Sequence, residues 1–360
     1  MSMKTSFKTK DKILEILSEK ADAVSGEELG TKLGVSRAAV WKAIKTLREN
    51  GYSIEGTTNN GSKLITEDVL STERIRAFYA EYFPGGDFGT VECFKEIDST
   101  NTYAKKLLSE SGNLRDERGS LTEAGKKLNK SLFAAESQNA GKGRLGRSFC
   151  SPAKTGLYFS LIYAPENGIT NPAKLTAYAA VAVCRVLKKL FDITPGIKWI
   201  NDIFAGGKKI CGILAEGFTN FETGSIEAAI IGIGINIRTN PEAFTGKLAE
   251  IAGSLEDCLS PSVNDESSFN ADRSQIAALI SGTFFQLFEE DSSLVMDEYR
   301  NLSFLTGKTI TVHPIIDDEK SSYRATVIGI DDNAGLIVKT ENGETKTLSS
   351  GEVSLRSEAY

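Results

Sequence analysis

Three helical segments closed by a short hairpin, apolar strands interleaved with apolar-rich helices, and a final series of short β runs split by turns together predict a multidomain chain. The expected parts are a winged helix-turn-helix over residues 1–65, a central α/β body over residues 73–302, and a small β-barrel over residues 303–360. With 360 residues, 40% of them hydrophobic, the chain has material for a sizeable core and for two or three domains. A net charge of -6 excludes a globally basic coat, so any contact with nucleic acid is confined to one module.

The N-terminal module reads as follows. Ile13, Leu14, Ile16 and Leu17 give a first helix its apolar face. Ser25 is placed to cap a second helix, with Glu28 completing a capping box ahead of Leu29 and Leu33, and Gly34 ends it. Ser36 caps a third helix whose Val40, Ile44 and Leu47 point inward, while Arg37, Lys42, Lys45 and Arg48 form a basic outer surface. Residues 52–54 and 63–65, around Asn59-Asn60-Gly61, suggest a wing. The module as a whole is nearly neutral, so the placement of cations on the groove-entering helix supports DNA binding, through Ser36, Arg37, Lys42, Lys45 and Arg48. The plainer alternative is a module for protein contacts with solvated lysines.

Residues 66–73 read as a polar linker. The central body contains apolar strands (157–163, 226–237) and apolar-rich helices (174–191, 273–288). Residues 109–130, rich in Gly, Ser, Lys and Glu, read as a surface insertion or mobile loop. After Leu305, runs at 309–312, 323–330, 336–339 and 345–348 alternate with turn residues, as in a small barrel. No apolar run is long enough to span a bilayer and the polar start lacks the apolar stretch of a secretory signal, so a cytoplasmic protein without membrane contact is expected. The five cysteines form no Cys-x-x-Cys pair and read as small apolar fillers. A single histidine, His313, removes multi-histidine metal sites and much common hydrolase chemistry, and no protein metal site is expected.

Three motifs carry chemistry. The run Gly141-Lys142-Gly143-Arg144-Leu145-Gly146-Arg147 combines glycines that expose backbone N–H groups with three cations, and fits a phosphate or carboxylate as well as it fits a solvated basic loop. Its spacing matches neither a P-loop nor a dinucleotide loop. Lys198-Trp199-Ile200-Asn201-Asp202, a Gly206-Gly207 turn and Lys208-Lys209 into Ile210–Leu214 form a hairpin that gathers Lys198, Asn201, Asp202 and Lys209 at its open end. Gly232 and Gly234 interrupt an apolar strand ending at Asn236, where either a flat ligand or a packed helix lies against bare backbone.

With Asp98-Ser99-Thr100-Asn101 upstream, these pieces resemble the bacterial biotin-protein ligases of the bifunctional type, which are also biotin-responsive repressors. The resemblance runs from the helix-turn-helix through the Gly141–Arg147 loop, Lys198–Asp202, Lys209 and Gly232–Asn236 to Gly351–Ser357. It implies a class II synthetase-like mixed sheet with helices in the middle and an SH3-like barrel at the end. It also implies ATP-dependent, AMP-forming attachment of biotin, through biotinyl-5'-AMP, to a lysine of a carrier protein. The carrier is the acetyl-CoA carboxylase subunit or another biotin-dependent carboxylase, and the other partners are operator DNA and a second copy of the chain. By the resemblance, biotin is held by Ser99, Thr100, Asn101, Gln138, Lys142, Gly143, Arg144, Lys209 and Gly212. Arg144, Arg147, Phe149, Asn201, Asp202, Asn236 and Arg356 line the nucleotide pocket, Lys209 and Arg144 are the catalytic cations, and Mg²⁺ comes with ATP. The sequence departs from the family pattern with Lys142 for Arg, Ile200 for Pro, Phe149 for a frequent Trp, and Leu145 where some relatives carry a cation. The competing functions are a ligase without genuine repression, a repressor that senses a ligand without catalysis, and a ligase of the related lipoate kind.

Overall fold

The computed structural model describes residues 9–20, 22–49, 52–57, 61–66, 70–166, 168–169, 171–220, 224–259, 271–314 and 322–355. The chain forms two compact units, residues 1–71 with 270–274, and residues 72–269 with 275–360.

The first unit holds α1 (Thr9–Glu19), α2 (Gly26–Leu33), α3 (Arg37–Glu49) and an antiparallel hairpin of β1 (Ser53–Thr57) and β2 (Gly61–Thr66). Its core is the expected one: Ile13, Leu17, Leu29, Val40, Ile44 and Leu47 are buried, joined by Val24, Tyr52 and Ile54. The turn between α2 and α3 is tight because Gly34 adopts φ 65° and a side chain at Gly30 would come within 2.9 Å of the Val35 carbonyl. Ser25 Oγ accepts from the Glu28 N–H at 3.0 Å as expected. The reciprocal half of the capping box does not form, because the Glu28 carboxylate pairs instead with Lys20. Residues 59 and 60 of the expected wing tip lie outside the described residues.

The second unit begins with α4 (Thr72–Tyr82), so the last two residues of the expected linker already belong to a helix. There follow β3 (Val91–Phe94), α5 (Thr100–Glu110), α6 (Glu123–Leu128), β4 (Ser131–Ala135), β5 (Gly156–Tyr163), α7 (Pro172–Phe191), β6 (Gly196–Lys198), β7 (Asp202–Ala205), β8 (Lys208–Thr219) and β9 (Ile226–Asn236). Four helices come next, α8 (Lys247–Ile251), α9 (Leu255–Leu259), α10 (Arg273–Gln286) and α11 (Ser292–Leu302), and then β10 (Thr309–His313), β11 (Tyr323–Ile330), β12 (Leu336–Thr340), β13 (Thr345–Leu348) and β14 (Glu352–Ser354).

Strands β3 to β9 form a seven-stranded mixed sheet in the order β3-β4-β5-β9-β8-β7-β6, with β3 parallel to β4 and the other pairs antiparallel. Helix α5 packs against β4, β5 and β9, and α7 against β7, β8 and β9. The β7–β8 turn is the expected two-glycine hairpin, with positive φ at both Gly206 and Gly207. Strands β10 to β14 form a separate antiparallel sheet, order β13-β12-β11-β10-β14, around Ile310, Val312, Val327, Leu336, Val338 and Val353. Among the described residues no helix is long and apolar enough to cross a membrane. All five cysteines are free, and Cys150 is exposed rather than a core filler.

The segment after α5 corrects the expectation of a surface insertion or mobile loop. Leu114, Leu121 and Leu128 are buried in one cluster with Ala104, Leu108, Phe133 and Ile162. Arg115 binds the segment down, its guanidinium donating to the carbonyls of Glu166 at 2.6 Å, Gly119 at 2.9 Å and Glu227 at 3.3 Å, and also to Pro165. Leu114→Ala is therefore expected to destabilise the second unit by about 2–5 kcal/mol, seen as a lower midpoint in denaturant unfolding; a mobile loop would leave the midpoint unchanged.

Candidate functional site

A cleft opens over the glycine-bearing part of the mixed sheet. Its floor is set by register: Gly212 on β8 pairs with Gly234 on β9, and Leu214 with Gly232. Bare backbone is required here. A side chain at Gly232 would meet Asn101 Oδ1 at 2.2 Å, and one at Gly234 would meet the Phe149 ring at 2.4 Å. Gly232 lies beneath Asn101 of α5, as the packed-helix reading has it, and Gly234 lies beneath the ring of Phe149.

Ser99, Thr100 and Asn101 are almost fully buried at the start of α5, where Ser99 is the N-cap. The Thr100 N–H donates to Gln138 Oε1 at 2.8 Å and its hydroxyl donates to the same oxygen at 3.2 Å. Gln138 Nε2 in turn donates to Ser151 Oγ at 2.9 Å. Asn101 Nδ2 donates to Glu216 Oε2 at 2.7 Å, and the buried Ser160 hydroxyl lies between Asn101 Oδ1 at 2.6 Å and Thr100 Oγ1 at 2.7 Å. Sequence reasoning missed Ser160 and Glu216, which stand 59 and 115 residues from Asn101.

The basic glycine loop folds back on itself as a small hairpin. Lys142 bridges Ser148, the Gly143 N–H donates to the Arg147 carbonyl at 2.7 Å, and the Phe149 N–H donates to the Gly141 carbonyl at 2.8 Å. This geometry carries Lys142, Gly143, Arg144 and Phe149 to the cleft wall. The β6–β7 turn brings Asn201 to the same cleft and β8 brings Lys209. The turn bearing Asn201 is held by Trp199 Nε1 donating to the Ala334 carbonyl at 2.8 Å and by the Tyr299 hydroxyl donating to the Ile200 carbonyl at 3.1 Å.

Three cations, Lys142, Arg144 and Lys209, thus line one cleft, and no carboxylate lines it with them among the described residues. The Arg144 guanidinium donates to two neutral oxygens, Asn201 Oδ1 at 2.8 Å and the Gly351 carbonyl at 3.0 Å, and burial lowers its pKa from the usual arginine value. Asp202 stands behind the wall, its Oδ1 2.7 Å from Lys209 Nζ and accepting from Asn201 Nδ2 at 2.9 Å. The cleft is built to take an anion.

Other expected residues lie away from the cleft wall. Arg147 is exposed and makes a two-pronged ion pair with Glu352, at 2.7 and 2.5 Å. Asn236 is buried and donates to the Gly253 carbonyl at 2.9 Å, and the Gly253 N–H donates to the Lys209 carbonyl at 3.0 Å, so Asn236 secures the chain beside Lys209. Lys198 sits on β6 and does not line the cleft. Arg356 lies outside the described residues. In the first unit Ser36 Oγ accepts from the Ala39 N–H at 3.2 Å, and Arg37, Lys42 and Lys45 are exposed on α3. Arg48, also exposed, donates from Nε to the Ile54 carbonyl of the hairpin at 2.8 Å. The same face carries Trp41, 65% exposed, with Lys45 Nζ 5.7 Å from its ring centre. Its signal was in the sequence, at the i, i+4 spacing from Arg37 to Lys45.

A helix-turn-helix module and a cation-lined α/β cleft, accompanied by a small antiparallel sheet, define a DNA-facing protein built on the fold of an anion-handling enzyme. The HTH domain family matches residues 9–63, the biotin/lipoate A/B protein ligase family residues 94–236, and the biotin protein ligase C-terminal domain residues 309–356. The bifunctional ligase/repressor BirA of Bacillus subtilis (strain 168) is 33% identical over 245 residues, 68% of this chain and 69% of that protein. BirA of Escherichia coli (strain K12) is 29% identical over 343 residues, 92% and 93% of the two chains. In fold, the biotin protein ligase of Aquifex aeolicus in complex with biotin and ATP superposes with a TM-score of 0.56 at 23% identity, over 75% of this chain and 99% of that one. The chain belongs to the biotin protein ligases of the bifunctional ligase/repressor type.

The Arg147–Glu352 pair ties the glycine loop to the C-terminal sheet. The hydrogen bond from Arg147 is the main cause of a Glu352 pKa below the ordinary glutamate value of 4.5. Its contribution is therefore present above the unfolded glutamate pKa and lost as pH falls through the lower folded value. Amide exchange over residues 141–149 is expected to quicken as pH drops below about 4.5, after correction for intrinsic rates, and Glu352→Gln should remove that dependence.

Proposed function

We propose that this protein activates biotin with ATP to biotinyl-5'-AMP, transfers the biotin to a lysine of a biotin carboxyl carrier protein, and represses biotin genes when the adenylate is bound. The observation that carries the first two steps is the trio Lys142, Arg144 and Lys209 lining one cleft, with no carboxylate among the lining residues and Asp202 pairing with Lys209 from outside it. In the first step a biotin carboxylate oxygen bonds to the α-phosphorus while the bond to pyrophosphate breaks. Two anions must meet, and cations aimed at the reacting oxygens stabilise the charge that grows there. Lys209 and Arg144 are the catalytic cations of this reading. In the second step the carrier lysine, having lost its proton, attacks the activated carbonyl and AMP leaves. The Phe149 ring over Gly212 and Gly234 and the loop that bears it keep water from the mixed anhydride.

Mg²⁺ is proposed to travel with the triphosphate; among the described residues no cluster of three or more His, Cys, Asp or Glu gathers to hold a metal. Gly212 and Asn201 are proposed as ligand contacts, with Arg147, Asn236 and Asp202 supporting the wall and Arg356 reaching ATP from the C-terminal domain. The domain limits proposed are 1–65, 73–302 and 303–360. Repression is proposed to work through a homodimer that presents two α3 helices to two half-sites in the cytoplasm, with Trp41 joining Arg37, Lys42 and Lys45 in the groove.

Mixing the protein with biotin, Mg²⁺-ATP and a carrier domain should raise the carrier's mass by one biotinyl group. Lys209→Ala should fold and lose at least about 100-fold in biotin-dependent pyrophosphate release; a wild-type rate would remove Lys209 from its role. Of the two tryptophans, Trp41 is 65% exposed and Trp199 only 3%. Acrylamide quenching therefore reports Trp41, and adding operator DNA should suppress it. Undiminished quenching at saturating DNA would take Trp41 off the interface.

A further inference from the structure

Helix α3 presents one large apolar group on a face that is otherwise cationic. Its exposed side chains are Arg37, Ala38, Trp41, Lys42, Lys45 and Arg48, which recur at spacings of three and four residues and so share one side of the helix. Val40, Ala43, Ile44 and Leu47 take the other side and fill the core. Trp41 is exposed although large and apolar, so the core gives no reason for it, and Lys45 Nζ stands 5.7 Å from its ring centre.

The charged groups around the ring are hydrogen-bond donors only. Arg48 Nε is committed to the Ile54 carbonyl, and Ser36 Oγ caps the helix by accepting from the Ala39 N–H. Among the described exposed side chains of α3 none carries an amide or a carboxylate, the groups that pair with the amino edges of adenine and cytosine. Cations are drawn to phosphates and to the acceptors of guanine. An indole ring needs an apolar partner, and the major groove offers one, the C5-methyl of thymine. Trp41 is the fifth residue of α3, within the N-terminal part of the helix that reaches base edges in this motif.

We infer that Trp41 is a specificity-determining residue that recognises the methyl group of a thymine in each half-site. Ala38, one turn earlier, extends the apolar strip, while Arg37, Lys42 and Lys45 hold phosphates. The inference rests on the assignment of α3 to operator DNA and adds the base that the helix chooses.

The test starts from duplexes that the full-length protein, with biotin and Mg²⁺-ATP, retains from a random library. Each thymine of the selected half-site is replaced in turn by deoxyuridine, in both half-sites at once, which removes the methyl and keeps every hydrogen-bonding group. Kd is measured for wild type, Trp41→Ala and Lys42→Ala; both positions are exposed, so the core is left intact. The salt concentration is set low enough for the variants to bind, since their remaining phosphate contacts strengthen as salt falls. At one position wild type should lose about 4-fold for each methyl, or about 16-fold for the pair. Trp41→Ala should bind the thymine duplex more weakly and distinguish it from the deoxyuridine duplex by less than about twofold. Lys42→Ala should weaken both duplexes alike and keep the wild-type ratio.

A selected half-site without thymine, a wild type indifferent to every methyl, or a Trp41→Ala variant that keeps the ratio overturns the inference. So does a Lys42→Ala variant that loses the ratio as fully as Trp41→Ala, because the methyl is then sensed by the docking of the whole helix. A wild type that retains no duplex defeats the assignment of α3 to DNA, and this inference with it.

Discussion

A partly buried guanidinium bonded only to neutral oxygens is the constraint around which the second unit is arranged. Removing a charge from water costs several kcal/mol unless hydrogen bonds and a counter-charge make it up. Arg144 receives two good acceptors, and its nearest carboxylate, Asp202, is one step removed through Asn201. To deliver those acceptors the β6–β7 turn must be held by Tyr299 and by Trp199 bonded to Ala334, and the C-terminal sheet must offer the Gly351 carbonyl. The C-terminal segment thus supports the cleft wall through Arg144. A cation held this way retains most of its attraction for an incoming anion, which a direct salt bridge would have consumed.

The glycines answer a second demand, that an aromatic ring and a side-chain amide lie close to strand backbone. Gly212 and Gly234 are cross-strand partners, so two missing side chains fall side by side and Phe149 covers the space. Two residues along β9, Gly232 leaves room for the Asn101 amide. Period-two placement puts both on one face, and the intervening isoleucines Ile231, Ile233 and Ile235 are buried, so the same strand serves core and cleft.

Much of this was legible in the sequence because it is local: the helix-turn-helix core, the two-glycine hairpin and the strands read at 157–163 and 226–237 follow from periodicity and turn chemistry. The gathering of Lys142, Arg144 and Lys209 is not local, and it was expected only from the family resemblance. What escaped depends on contacts between distant segments. The stretch after α5 looks disordered by composition, yet Leu114, Leu121 and Leu128 recur too sparsely to register as a pattern while filling one cluster. Arg147 reads as a ligand-facing cation until its partner, 205 residues away, is seen to be Glu352. Glu216 carries no motif at all, and only the pairing of β8 beside Gly232 brings it to Asn101. Trp41 is a different omission, since charge alone guided the reading of α3.

The departures from the family pattern fall where the geometry tolerates them. Lys142 is exposed at the cleft rim, where a point charge can approach an anion without the planar fork an arginine provides. Phe149 packs over glycine backbone and meets Tyr158 edge-on at 6.3 Å, an apolar seat in which an indole N–H would need a partner of its own. Ile200 is buried, and the hydrogen bond at this position uses its carbonyl, which any residue supplies. Leu145 holds φ 57° on an exposed turn, so the loop keeps its path while losing a cation that the cleft wall does not use. The charges that line the cavity are retained and the variation lies in shape around them, which is the pattern expected when electrostatic attraction fixes the ligand class and packing adjusts its fit.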